Sequence, residues 1–295
     1  MKRIGCVGDN CVDHYHQTGE DHFGGNPVNV AVYTRRLGGN ASYVGAVGTD
    51  SRGAAMLEAL RGRGVDVSHV HVDEGSTAVT YVEHINGDRV FGDYSEGVMA
   101  QFALTEEDIA FLGSHDLVVS GLWGHAEGYL SRIRQHGAIT AFDCSDRPED
   151  PAAQTALPGT DIAFFSDDGS DDEALRQRLR QLAAPGPRIV VATRGSRGSM
   201  AYDGQRFYEQ GILPCRVVDT MGAGDSFATA MLVSLLQGME KNGGRWADPA
   251  CRALLLPGAL EAAADFSAKN CLVHGAFDCG VPVPASVHDR IYEGV

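Results

Sequence analysis

Residues 219–227 read DTMGAGDSF and run straight into the apolar stretch FATAMLVSLL. Gly222, Ala223 and Gly224 carry almost no side chain, so their backbone N–H groups can come close to a ligand. The apolar stretch predicts a helix, whose positive N-terminal end adds to the same spot. Such a turn suits developing negative charge. Asp225 sits within reach of whatever atom lies there. A carboxylate beside an anion hole is suited to taking a proton from a hydroxyl as that hydroxyl attacks a phosphoryl group. The same acid in a first helical turn could instead cap the helix or favour its dipole. The pattern by itself leaves both readings open.

The elements that would position this turn alternate. RIGCVG (residues 3–8) reads as a buried strand, and NPVNVAVYTRRLG (26–38) as a helix with Val28, Val32 and Leu37 near one face and Gly38 as its stop. ASYVGAVG is the next strand and RGAAMLEALRGRG the next helix; DLVVSGL, AITAFDCS, DIAFFS and RIVVAT are further short apolar runs, with helical patterns such as DEALRQRLRQLAA between them. Alternation of this kind predicts a mostly parallel sheet covered on both faces. Two segments break the rhythm. Residues 13–25 and 76–94 read as antiparallel strands, the second with an Asn86-Gly87 hairpin signal. They predict a small sheet standing beside the main one as a lid over a single domain spanning 1–295.

Composition bounds the partners. The chain has 295 residues, 43% hydrophobic and 21% charged, enough for one substantial core. Its 24 basic and 39 acidic residues give a net charge of −15, which argues against nucleic acid or an anionic membrane as the main partner. There is no apolar stretch of signal-peptide or membrane-span length. The seven cysteines are scattered without CxxC pairs, the pattern of reduced thiols in a cytoplasmic protein. No GxxxxGK[ST] and no GxGxxG occurs, which excludes a P-loop and weakens a dinucleotide site.

DTMGAGDSF resembles the nucleotide-site signature of the ribokinase-like (PfkB-type) carbohydrate kinases. GDNCVD (8–13) and GGNPVNVAVYTRRLG (24–38) resemble that family's substrate-side motif, in the expected order. The segments 88–108, GVDVSHVH, WGHAE and TAFDCSD resemble more narrowly its bacterial fructoselysine kinases. The similarity covers residue 4 to about 235, fades over KNGGRWADPACRALLLPG (241–258), and returns at HGAF (274–277); the tail that follows has no assignment. The resemblance implies an α/β three-layer sandwich with a β-sheet lid. It implies transfer of phosphate from ATP to the 6-hydroxyl of a fructosamine, with Asp225 as base and the N–H groups of residues 222–224 around the phosphoryl group. Another sugar or nucleoside kinase of the family is the nearer alternative; a sugar-binding sensor without catalysis is the farther one.

The same resemblance distributes the remaining residues. Asp13 and Asp9 become sugar-hydroxyl ligands, with Asn10 beside them; Gly25 permits close backbone approach, and Asn26 and Asn29 are amide ligands, a solvent-facing helix residue being the lesser alternative for Asn29. Short polar side chains suit a sugar because each buried hydroxyl must be paired. Fructoselysine also carries an amino-acid zwitterion, for which Asp93 and Glu96 would meet an ammonium and Trp123 or His125 line the pocket; a surface charge and a core tryptophan are the alternatives. Thr193 and Gly195, in TRGSRGS, fall on the loop under ATP or on a plain glycine-rich turn. Transfer from ATP calls for Mg²⁺. The family's Asn-x-x-Glu pattern is replaced here by SDDGSDDE (166–173), where Asp167, Asp168 or Glu173 could substitute or simply form an exposed loop. Asp219 matches a ligand position for a monovalent cation such as K⁺, or is a turn residue. The pairs His14/His16 and His69/His71 have strand spacing but no third zinc ligand in register. A homodimer through the lid is implied by resemblance alone.

Overall fold

A computed structural model describes residues 2–15, 17, 19–85, 88–273, 275–277 and 280–282. Asn86-Gly87, His16, His274 and the tail from residue 283 onward lie outside the described residues. The main sheet has eight strands in the order Phe207–Gln210, Ser199–Tyr202, Ile189–Thr193, Ile162–Ser166, Ile139–Asp143, Leu117–Gly121, Arg3–Val7, Asn40–Val44. The last six are mutually parallel; Ser199–Tyr202 and Phe207–Gln210 are an antiparallel edge hairpin.

Alternation along the strands explains the layers. Ile162 and Phe164, Ile189 and Val191 point into one core; Ala163 and Phe165, Val190 and Ala192 point into another. Successive strand side chains face opposite ways, so a strand covered on both sides needs apolar residues throughout. The first core holds helices Asn26–Arg36, Ser51–Gly62, Ala223–Asn242 and Pro249–Asn270. The second holds Glu106–Gly113, Leu130–Gln135, Pro151–Ala156 and Asp172–Ala183. The result is the three-layer sandwich that the alternating pattern predicts.

Three local departures have physical causes. The run 41–48 is two strands, Asn40–Val44 and Ala46–Gly48, and the Gly45 between them is packed so closely that a Cβ there would lie 2.1 Å from Tyr43 Oη. Helix Asn26–Arg36 is buried from Pro27 to Thr34 rather than along one face, since it is packed between the sheet and helix Ala223–Asn242. Residues 241–258, where the similarity fades, make the last two residues of helix Ala223–Asn242, a turn and the first half of helix Pro249–Asn270. That helix starts on an Asp248 cap with Pro249 in its first turn and packs along Ala223–Asn242.

A second sheet runs Gly280–Pro282, Glu20–Gly24, Cys11–Tyr15, Val79–Ile85, Asp88–Ser95. Both expected insertions enter it, and a short strand from near the C-terminus adds a third contributor. Buried His14 and Asp21 bond at 2.7 Å, and Arg52 Nε from helix Ser51–Gly62 donates to Asp21 at 2.8 Å, pinning this sheet to the body. His69 Nδ1 and His71 Nε2 each lie 3.0 Å from an oxygen of Asp108, which also completes a capping box with Thr105. Among the described residues no helix is long and apolar enough to cross a membrane.

Candidate active site

Asp225 is the third residue of helix Ala223–Asn242, whose N-cap, Gly222, is left-handed at φ 68. Its carboxylate takes its partners from elsewhere. Asn26 Nδ2 donates to Oδ1 at 2.7 Å and Asn29 Nδ2 donates to Oδ2 at 2.6 Å. Residues three apart share a helix face, so one helix aims both amides at one acid. The capping reading is therefore not what the side chain does, and Asn29 is buried rather than facing solvent. Gly25 makes the approach possible. At φ 106 it would place a Cβ 2.7 Å from Asn10 Cα and 2.9 Å from the Asp9 carbonyl, so only glycine starts the helix there.

Asn26 joins three carboxylates. Its backbone N–H donates to Asp9 Oδ2 at 3.2 Å, and its Nδ2 also donates to Asp143 Oδ2 at 3.1 Å. Burial pushes Asp9 up to about 6. Burial, then the charge of Asp225, pushes Asp143 up to about 7. Burial raises Asp225 as well, against hydrogen bonds from Asn29 and Asn26 that hold it down. All three lie at the carboxyl ends of the sheet or against them, where open α/β sheets bind ligands. Around them, buried Asp9 Oδ1, Asn10 Oδ1, Asn26 Oδ1 and Asn29 Oδ1 have no protein partner. Buried oxygens left unpaired are costly, and the hydroxyls of a polyol are the donors that would satisfy them.

The second sheet forms the facing wall. Cys11 Sγ lies 2.9 Å from Thr80 Oγ1 and 3.6 Å from Asp13 Oδ1, and Asp13, Thr80 and Tyr94 are cross-strand neighbours. The Asp9 charge bears on Cys11 and Tyr94, so this face looks onto Asp9. Glu96 Oε1 and His125 Nε2 meet at 2.5 Å across the gap, and His125 has a left-handed backbone at φ 51. Trp123 is 45% exposed, which removes the core-tryptophan reading. Asp93 belongs elsewhere. Pairing jumps from Thr80–Tyr94 to Val82–Phe91, so Gly92 and Asp93 bulge opposite Tyr81, on the face away from Tyr94. There Asp93 is an exposed surface charge.

On the other side of the Gly222 turn lies a cavity of about 690 Å³. Thr193, Gly195, Ala223 and Gly224 line it, with Ile212, Leu213, Val217 and Phe227 as an apolar wall. The Ala223 N–H is engaged with the Thr220 carbonyl at 3.1 Å, so it closes the turn instead of serving the expected hole. Of the three acids proposed for magnesium, Asp168 lines the cavity. Asp167 is engaged by Ser170 and by Arg178 Nη1 at 3.1 Å, and the Glu173 side chain is 81% exposed beside Arg180. Asp219 accepts the backbone N–H of Met221 at 2.9 Å and of Gly275 at 2.8 Å, the work of a turn residue.

Several contributors escaped the sequence reading. Asp143 lay inside TAFDCSD, with only its position at a strand's end to mark it. Buried Tyr33 donates to the Ala276 carbonyl and stands where a Cβ on Gly222 would meet it. Ser267 Oγ donates to Ala223 O at 3.0 Å and Asn270 Nδ2 to Met221 O at 3.2 Å. The end of the divergent helix thus braces the turn.

A three-layer fold with an amide-held acid between a polar crevice and a glycine-edged cavity is an arrangement suited to group transfer. The chain belongs to the pfkB family of carbohydrate kinases, which it matches over residues 2–243. It is 43% identical over 277 residues to the fructoselysine 6-kinase of Escherichia coli (strain K12), covering 94% of this chain and 100% of that one. It is 32% identical over 289 residues to a fructosamine kinase of Bacillus subtilis (strain 168), covering 96% and 95%. Among solved structures, Arabidopsis thaliana ribokinase complexed with ribose and ATP has the same fold, with a TM-score of 0.80 at 21% identity over 94% of each chain.

Proposed function

We propose that this carbohydrate kinase transfers the γ-phosphoryl group of ATP to the 6-hydroxyl of fructoselysine or a closely related fructosamine. The observation that carries it is the position of Asp225, held by Asn26 and Asn29 where the polar crevice meets the glycine turn of the cavity. The hydroxyl gives its proton to Asp225 as its oxygen attacks the phosphorus; the bond to the ADP oxygen breaks, and the turn and helix end receive the transferred charge. Asp9, Asn10, Asp13, Asn26 and Asn29 would pair the sugar hydroxyls, and Thr193 and Gly195 would lie along the nucleotide. Magnesium asks for one or two carboxylates plus phosphate oxygens, which fits Asp168 on the cavity wall. When bound it would neutralise phosphate charge. A monovalent cation near Asp219 and a homodimer through the second sheet belong to the same proposal and rest on resemblance.

The substrate assignment is supported by the relatives' names and by the wall beside Asp9. Fructoselysine's ammonium and aliphatic chain find an acid at Glu96, paired with His125, and aromatic surface at Tyr94 and Trp123. An ADP-release panel of fructoselysine, glucoselysine, fructose and ribose tests it, with fructoselysine expected to give the highest kcat/KM. Glu96→Gln should raise KM for fructoselysine about tenfold, the loss of one charged hydrogen bond, and leave fructose within about twofold. Equal losses on both sugars would remove the assignment of Glu96. Calorimetric sugar binding with no ADP formed would favour the sensor reading.

A further inference from the structure

Asp143 is the last residue of a central strand, paired on one side with Gly121 and on the other with Phe164. Two donors fix its carboxylate. Ser145 N–H reaches Oδ1 at 2.8 Å and Asn26 Nδ2 reaches Oδ2 at 3.1 Å. To make its bond, Ser145 holds a left-handed backbone at φ 52. Among the described residues it shares that conformation, outside glycine, with His125 alone. Backbone strain of this kind persists where the surroundings enforce it and gathers at working sites.

With Asp143 and Asp225 ionised, the Asn26 carboxamide has one favoured orientation. Its NH₂ faces two carboxylates, Asp143 and Asp225, while its Oδ1 is buried without a protein partner. A Cβ on Gly121 would lie 3.0 Å from that oxygen, so the strand end keeps space for it. Turning the amide over would aim its oxygen at two acids. With Asp143 removed, one acid alone would orient it.

We propose that Asp143 is a positioning residue for phosphoryl transfer, which clamps the Asn26 carboxamide so that this amide holds the Asp225 carboxylate toward the substrate hydroxyl. The assignment rests on the reading of Asp225 as the base. The charged and titratable groups around Asp143 are Asp225 on helix Ala223–Asn242, Asp9 after strand Arg3–Val7 and adjoining Cys144; His125 faces Asp9 and Glu149 faces Cys144.

Asp143→Asn is expected to lower kcat about 10- to 100-fold with both KM values within about threefold, because the ground-state contacts stay. The kcat–pH profile should lose an inflection near neutrality. The double variant with Asn26→Ala should be no slower than Asn26→Ala alone, since the two act as one unit. Carboxyl ¹³C titration, without nucleotide, should find Asp143 titrating near 7 and moving down in Asp225→Asn. Should Asp143→Asn fail to bind sugar by calorimetry, Asp143→Ser carries the same cycle. Native kcat with an unchanged profile, or additive losses in the cycle, would overturn the proposal. Asp225→Asn turning over at a native rate would instead remove the base reading beneath it.

Discussion

Asp225→Asn is expected to lower kcat by about 10³-fold while sugar affinity stays within about fivefold, because it removes a general base and little else. An asparagine at 225 still presents an oxygen to Asn26 or Asn29, so the fold and crevice persist. Coupled ADP release gives the rate and calorimetry the affinity; native turnover would refute the assignment. The wild-type pH profile gives the same residue a second test. Turnover needs Asp225 ionised, and burial raises its pKa. Activity should therefore fall as pH falls, and should do so above the ordinary carboxylate range of about 4. Asp9, held up to about 6, adds to the decline in kcat/KM for the sugar.

Gly25→Ala is expected to cost about 2 to 4 kcal/mol of stability in urea unfolding and about 10²-fold in kcat/KM. Two penalties add. The backbone stands at φ 106, which side-chain-bearing residues rarely adopt, and the new methyl would meet backbone atoms of Asn10 and Asp9 below 3.0 Å. Backbone cannot step aside as a flexible side chain can. Relief would come from shifting the start of helix Asn26–Arg36, which carries both amides on Asp225. Gly258→Ala is the counterpart. It lies inside helix Pro249–Asn270 with nothing within 4 Å of its Cβ, and should stabilise by about 0.5 to 1 kcal/mol. Equal stability of Gly25→Ala and native protein would show that the helix start tolerates a shift.

Local chemistry was legible in the sequence where it repeats in period. Continuous apolar runs such as IVVA and AFF named the parallel strands, and glycine closed the helices. The turn around Gly222 and the amides Asn26 and Asn29 were legible from spacing and resemblance together. The remainder depends on what touches what. Nothing in GDY tells a reader that a bulge turns Asp93 away while Tyr94 faces the crevice. Asp143 looks like any strand-end acid until Asn26 arrives from a segment 117 residues away. Asp167 and Asp168 are neighbours of one type, separated only by Arg178, which takes the first. The braces Ser267 and Asn270 sit in a helix whose sequence carries no motif, because they act through backbone carbonyls of the turn.

The unpaired oxygens and the crowded acids of the crevice have a consequence for handling the protein. An acid whose pKa is higher folded than unfolded gives stability that is whole below about pH 4. For Asp9 and Asp143 that contribution is lost as pH rises through about 6 and about 7. Through these two acids the protein should therefore melt earlier at about pH 8 than at about pH 5. A molecule that supplies hydroxyl donors to the stranded oxygens should raise the melting point in proportion to its fit. Sugars can then be ranked by heat alone, with no nucleotide present and no phosphate moved.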